Sequence, residues 1–573
     1  MSILNWAKGV IKNHWFVIIP ALIVGLLIVL PSVVSIMRLG DDFSGIYPMF
    51  SGDESFYLGI TKEVYEGNGS SGNAFIKEHK GDLPIQSLLF ENLPAWEAKI
   101  LGLSVPAAAV LNDFLLPFFG VIMLYALFFS LTKNKILSNS SSFLFYFIFL
   151  SSFNRPINPQ FSFVFFALAV FLVWKIISQR HELKVLVWLN LLLGLVFSLL
   201  VYTYPFYWTT ILVLYLVSLF MMALKEKEWV YWIKNCGIFA LISVISLFPY
   251  LLNILKVANN PHFNAATLRT GLVLTHYPGT FLNVTLILFT LFILFIFRSD
   301  IKEKRELLFC YALISTGVIT NWQNVITGRV LQFSSHYYPI IIFLTFLILA
   351  IILKYNYKKL AASLLISAFL LAIIYKQRDD FLLAFRHIIN PVDIAKEQKL
   401  APVFAWINEN TQTEAVIYAL GENIAELVPI YTRGNNYSNG YASMYLLSDE
   451  EMENRWIIQN YWSDIDAEYV KKYNNIVLGN KFLDPYGSKE SRRKILELIT
   501  GRKYPANTLM PEADIKRIMD KFLKFKNIGF EKTLKTYQVD YVILGKSFGK
   551  DLDKYAFLVR AFENSEFIIF KVE

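Results

Sequence analysis

Cysteine is nearly absent: Cys236 and Cys310 are the only two in 573 residues, both lie in apolar runs, and none follows Lys376. That excludes a disulfide framework and a thiolate metal site. Charge is also sparse, at 17% of residues against 55% hydrophobic and 16% aromatic, and the mean hydropathy is +0.45. Such a chain is too apolar for an ordinary soluble protein, so lipid is the solvent for much of it. The formal charge of +9 is not gathered in a basic domain, and no nucleic-acid partner is expected. There is no Walker loop, dinucleotide glycine fingerprint, HExxH or GxSxG, which disfavours a cytoplasmic nucleotide-sugar donor. Fixed-period repeats and low-complexity segments are missing too.

What is there is a series of apolar runs of membrane-spanning length, roughly 20 residues each. The first, Trp15 to about Met37, is too long for a removable signal peptide and lacks its cleavage site, so it reads as a retained anchor. Further runs begin near Pro106, Ser142, Phe161, Val185, Phe206, Cys236, Thr280, Leu307, Tyr338 and Ala361. Two of them, Ser142 to Phe153 and Leu307 to Thr320, are short. The expectation is an α-helical polytopic membrane protein of about eleven transmembrane helices.

Loop charge supports this reading. Lys8 and Lys12, Lys133 and Lys135, Arg180 and Lys184, Lys225 and Lys227, Lys302 and Lys304, then Lys358 and Lys359 all fall on one side, which the positive-inside rule makes cytoplasmic. The N-terminus is then cytoplasmic. Two long regions fall outside: the loop 38–105, within a membrane domain 1–375, and the tail 376–573. The tail carries amphipathic stretches such as Ala401 to Asn408 and Glu490 to Leu498, strand-like EAVIYAL and DYVILG, and a terminal hairpin turning at Asn564 and Ser565. It reads as a C-terminal extracytoplasmic mixed α/β domain.

Candidate chemistry follows the same geography. Asp53 and Glu54 open an amphipathic helix that the Gly67 to Gly72 stretch ends. They read either as helix-capping acids or as a base poised where a lipid headgroup sits. Asp113 lies inside the second run, where a bare carboxylate costs about 2.5–3.5 kcal/mol, so it is either paired for packing or faces a polar cavity. Arg155, in the rigid corner NRPINPQ, either snorkels or clamps a phosphate. LRTGLVLTHYP supplies Arg269 and His276, and NWQNVITGRVLQFSSHYYP supplies Gln323, Arg329 and His336. The latter loop is polar enough to be either a hydrogen-bonded plug or a substrate surface.

The first span, the outer loop in which GDESFY starts a juxtamembrane helix, the multi-span body and the AWINENT segment before the tail together resemble the GT-C superfamily of polytopic glycosyltransferases. That superfamily includes protein O-mannosyltransferases and lipid A aminoarabinose transferases. The resemblance implies transfer of a sugar from a polyprenyl-phosphate donor to a glycan, lipid or protein acceptor outside the cytoplasm. It makes Asp53 the base and Glu54 its partner. The substrate-binding candidates Asp113, Arg155, Arg269, His276, Gln323, Arg329 and His336 rest on residue type and position, and the resemblance assigns no role to the clusters around Arg155 and Arg329. A divalent metal between Asp53 and Glu54 is left open, since adjacent acids alone make a poor site. WWDYG is absent, which argues against transfer of a whole glycan to asparagine. Two rivals remain: a transporter or flippase of lipid-linked glycans, which would place its polar groups near the midplane, and a non-catalytic envelope scaffold.

Overall fold

Apolar runs in lipid must satisfy their own backbone N–H and C=O groups, and the helix does so within one segment. The computed structural model describes residues 13–50, 53–149, 152–153, 155–272, 274, 276, 281–330, 336–356, 367, 370–371, 373–375, 378, 392–421, 423–482, 488–504 and 510–573. Among these residues eight helical segments are long and apolar enough to cross a membrane. They are Trp15–Asp42, Val105–Thr132, Gln160–Ser178, Leu183–Val201, Pro205–Glu226, Trp229–Ala258, Asn283–Asp300 and Tyr337–Asn356. These eight fall short of the expected eleven at three places. The third run forms a helix of only 14 residues, Lys135–Ile148. The ninth lies in Lys304–Thr327, a helix of 24 residues whose last turns carry Asn321, Gln323 and Asn324 and which is not among the eight. The last, Ala361 to Tyr375, lies mostly outside the described residues, as do Lys8, Lys12, Lys358 and Lys359.

Ion pairs join the helix ends that the loop charges predicted to be together. Lys354 pairs with Glu306 at 2.6 Å, Arg305 with Glu226 at 2.6 Å, and Arg180 with Glu228 at 2.8 Å. Lys354 also reaches the carbonyl of Leu131, and Arg305 that of Ile177. Five inter-helix junctions thus share one end of the bundle. Between the ends the interior is packed with aromatic rings: Phe145 stacks on Phe163, and Phe166 on Tyr207, with Phe343 edge-on to Phe145 and Phe163. Gly120 is needed here, because a Cβ would collide with the phenol of Tyr146.

The C-terminal domain holds a five-stranded sheet of order β2-β1-β3-β5-β4, with β1 Val416–Leu420, β2 Asn435–Asn436, β3 Tyr541–Gly545, β4 Leu558–Glu563 and β5 Phe567–Val572. β1 runs parallel to β2 and β3, whereas β5 is antiparallel to β3 and β4. EAVIYAL and DYVILG are β1 and β3. The predicted hairpin is present, and the Asn564 side-chain oxygen accepts from the N–H groups of Glu566 and Phe567 at its turn. Period-2 alternation splits the sheet into two apolar faces. Val416, Tyr418 and Leu420 pack with Val542, Leu544 and Phe570. Ile417 and Ala419 pack with Ile543, Ile569, Leu427 and Val428, and this second core also takes in Ile46, Leu58 and Val105 from the first loop and its exit.

The first loop and the tail, more than 300 residues apart in sequence, therefore fold against each other. Gln398 accepts from Ser44 N at 2.9 Å and donates to the Ile46 carbonyl at 2.7 Å. Tyr431 accepts from Tyr47 N at 2.8 Å, and the hydroxyls of Ser55 and Tyr441 are 2.8 Å apart. His79 bridges Asp82 at 2.6 Å and Glu451 at 3.0 Å. The hydrogen bond to Glu451 raises the His79 pKa to about 9; burial opposes this in part and Asp82 adds to it. The folded-state pKa exceeds the unfolded value of about 6.5, so this stabilisation is complete below about pH 6.5 and is lost as pH rises through about 9. Wild type should therefore melt several degrees above His79→Gln at pH 6, and the gap should close by about pH 10. A gap independent of pH would show that the charge on His79 does not contribute.

Candidate functional site

Asp53 stands at the N-terminus of the helix Glu54–Tyr65, but its side chain makes no capping hydrogen bond. The acid that serves the local backbone is Glu54, which is buried and accepts from Phe50 N at 2.8 Å. The Asp53 carboxylate, 59% exposed, instead meets Arg155 Nη1 at 2.8 Å across 102 residues of sequence. Capping thus accounts for Glu54 and not for Asp53.

Arg155 is held from several directions. Its Nε donates to the carbonyl of Asn158, Asn158 donates to the carbonyl of Thr203 at 3.3 Å, and the guanidinium lies 5.8 Å from the Tyr57 ring centroid. Burial works against the arginine's charge, but the Tyr57, Tyr204 and Asp53 oxygens outweigh it and raise its pKa. Next to this group, the Tyr204 hydroxyl and His336 Nδ1 are 2.5 Å apart, and the imidazole stacks on Phe206 at 4.8 Å. Burial first, then the nearby Arg155 charge, lowers the His336 pKa to about 4, so it is a neutral imidazole at physiological pH. Burial likewise pushes the Tyr204 phenol up.

Asp113 is buried and doubly engaged: Gln160 donates to one oxygen at 2.7 Å and Ser32 to the other at 3.5 Å. Asp113 also borders, with Glu54 and Pro156, a small cavity of about 20 Å³ beneath the first loop. That is space for about one water molecule. Asp53 and Glu54 turn to different partners, and among the described residues no group of three or more His, Cys, Asp or Glu is placed to hold a metal.

The remaining candidates lie apart from this cluster. Arg269 is completely buried: it donates to the carbonyls of Ser443, Tyr445 and Leu447 at 2.8–3.0 Å and to the Asp449 carboxylate. Its donors go to fastening the segment after the helix Trp229–Ala258 to the C-terminal domain. His276, Gln323 and Arg329 form a separate knot. Gln323 donates to the Arg329 carbonyl at 2.9 Å, Leu274 bridges Arg329, and His276 Nδ1 is 3.0 Å from the Val325 carbonyl. Gly328 has φ +70° and lies against the His276 ring, so the turn needs glycine on both counts. Removing the Arg269 side chain strands three carbonyls and leaves the Asp449 carboxylate with Lys481 alone. Arg269→Ala should therefore cost about 3–5 kcal/mol and accelerate proteolysis of the tail; an unchanged melting temperature would refute this fastening role.

One site residue could not be read from sequence. Glu91, ahead of the helix Asn92–Leu101, is buried, and its Oε2 has no hydrogen-bond partner among the described residues. Phe90, edge-on to Phe161 and Phe165, pins this segment to the bundle. Burial pushes the Glu91 carboxyl up to about 8, and its charge is felt at Tyr57, the ring that also faces Arg155. From pH about 4.5 to 8 the unfolded chain is ionised and the folded one protonated, so wild type loses stability as pH rises through that window. Melting curves of Glu91→Gln should lack this slope and lie above wild type at pH 8. A slope retained in the variant would place the proton elsewhere.

No protein-family model matches the chain, and comparison with curated proteins gives no match. The chemistry available is therefore that of the cluster itself: an exposed carboxylate, a guanidinium with several donors, a neutral imidazole and phenol, and aromatic faces, gathered at the first-loop end of a helical bundle.

Proposed function

We propose that this chain is an integral membrane glycosyltransferase, taking a sugar from a polyprenyl-phosphate donor and passing it to an acceptor hydroxyl of an envelope glycan, lipid or protein. In this reading the first loop and the C-terminal domain face away from the cytoplasm, and the GT-C resemblance supplies the donor class. The observation that carries the reading is the Asp53–Arg155 pair: an accessible carboxylate that does not cap its own helix, set against a guanidinium at the bundle mouth.

Each partner has a role. The donor phosphate engages Arg155, whose fork suits phosphate oxygens, and releases Asp53 from its resting partner. Asp53 then accepts the acceptor hydroxyl proton as the new bond to the anomeric carbon forms. The bond to the lipid phosphate breaks with its electron pair, and that charge is stabilised by the guanidinium. Tyr57 and Tyr204 offer ring faces for the sugar. A carboxylate base of this kind contributes about 10²–10⁴-fold.

The test is transfer of label from radiolabelled polyprenyl-phosphate sugars to a crude envelope acceptor by the purified protein in nanodiscs. Asp53→Asn should reduce transfer at least about 100-fold with an unchanged melting temperature. Transfer that persists in a folded Asp53→Asn protein removes Asp53 as base. Donor binding without transfer in wild type favours the transporter or scaffold.

A further inference from the structure

At the bundle end opposite Asp53, the start of the helix Ile18–Leu39 meets the ends of Val105–Thr132 and Gln160–Ser178 around a cavity of about 440 Å³. Its floor is aromatic and aliphatic, including Trp15, Ile18, Phe129 and Phe171. Two of its polar groups are spent on each other, since His14 Nδ1 and the Tyr125 hydroxyl are 2.5 Å apart. Two cations are left over. Lys175 Nζ lies 5.3 Å from the Phe171 ring centroid, and Lys133 projects from the left-handed residue that ends its helix. Lys133 is near enough for Lys175 to feel its charge, yet among the described residues no Asp or Glu lines the cavity.

Some cations at this end are matched by protein carboxylates. Lys354, Arg305 and Arg180 each have a carboxylate within 2.8 Å. Like charges brought together beside apolar walls repel, and an anion between them removes the cost. The chain's own first twelve residues cannot supply it, because they contain Lys8 and Lys12 and no acid. The mouth of the cavity adjoins an apolar stripe: Ile18, Leu22 and Leu26, at helical spacing, are exposed. A ligand that fits must be anionic at one end and hydrocarbon at the other.

We infer that this cavity binds an anionic phospholipid, its phosphate between Lys133 and Lys175 and its acyl chains along Trp15, Ile18 and Leu22. The inference is independent of the proposed transfer reaction. It ties the first spanning helix to the bundle through a lipid at an end where other junctions are tied by protein ion pairs.

Native mass spectrometry of the detergent-purified protein tests this, with phosphatidylglycerol, phosphatidylcholine or inorganic phosphate added. Wild type should retain phosphatidylglycerol roughly tenfold to thirtyfold better than phosphatidylcholine, and phosphate alone should neither bind nor raise the melting temperature. Lys133→Ala/Lys175→Ala should abolish the preference, and Lys133→Arg/Lys175→Arg should keep it. Should the alanine variant fail to fold, photo-crosslinking of the anionic lipid in wild type replaces it, with label expected on peptides containing Trp15 and Phe171. Equal retention of the two lipids, a preference that survives loss of both lysines, crosslinks elsewhere, or stabilisation by free phosphate would each overturn the proposal.

Discussion

Hydrocarbon offers a peptide group no hydrogen-bond partner, and the remainder of this structure depends on that restriction. It forces the apolar runs into helices and drives irregular backbone to the two ends of the bundle. At one end the consequence is a set of short basic connections stitched by Lys354–Glu306, Arg305–Glu226 and Arg180–Glu228. At the other, the displaced chain is long enough to build a second folded layer. There the first loop and the tail share a core through Ile46, Leu58, Ile417 and Ile543.

That second layer explains why a cluster can form at the mouth of the bundle. Asp53 is on a helix whose position is set partly by the tail: Gly59 lies against Phe75 and near Pro429, and Ser55 meets Tyr441. Arg155 is set by the bundle, through Asn158 and Thr203. The pair therefore closes a seam between two independently positioned layers. Displacement of the tail would move Asp53 and leave Arg155 in place.

The sequence made the periodic features legible and left the long-range ones hidden. Helices from apolar runs, strands from EAVIYAL and DYVILG, and a hairpin from an Asn-Ser turn rest on neighbours in the chain, and among the described residues they appear close to their expected places. The two runs already noted as short are not among the long apolar spans, for different reasons: Lys135–Ile148 is only 14 residues, too short for roughly 30 Å of hydrocarbon without tilt, whereas Lys304–Thr327 is long enough but carries charged and amide side chains at its ends. Arg269 and Glu91 were opaque for another reason. The partners of Arg269 lie 174 to 180 residues away, and in sequence a buried fastening arginine looks the same as one awaiting a phosphate. The isolation of Glu91 comes from Phe90 docking on a helix that no local pattern links to it.

The difference between Arg269 and Arg155 also decides which arginine is able to serve an anionic substrate. Arg269 is fully buried with four acceptors satisfied, and breaking such an arrangement leaves charges stranded at a cost of about 3–5 kcal/mol. No incoming phosphate recovers that without refolding the loop. The Asp53–Arg155 pair has one largely exposed partner, and pairs of that kind contribute only about 0–1 kcal/mol. A phosphate that accepts two charge-assisted hydrogen bonds from the same guanidinium exceeds this easily. On the proposed reading, a phosphate at Arg155 displaces Asp53 and leaves its carboxylate beside the bound anion. Donor binding and exposure of the base are then one event.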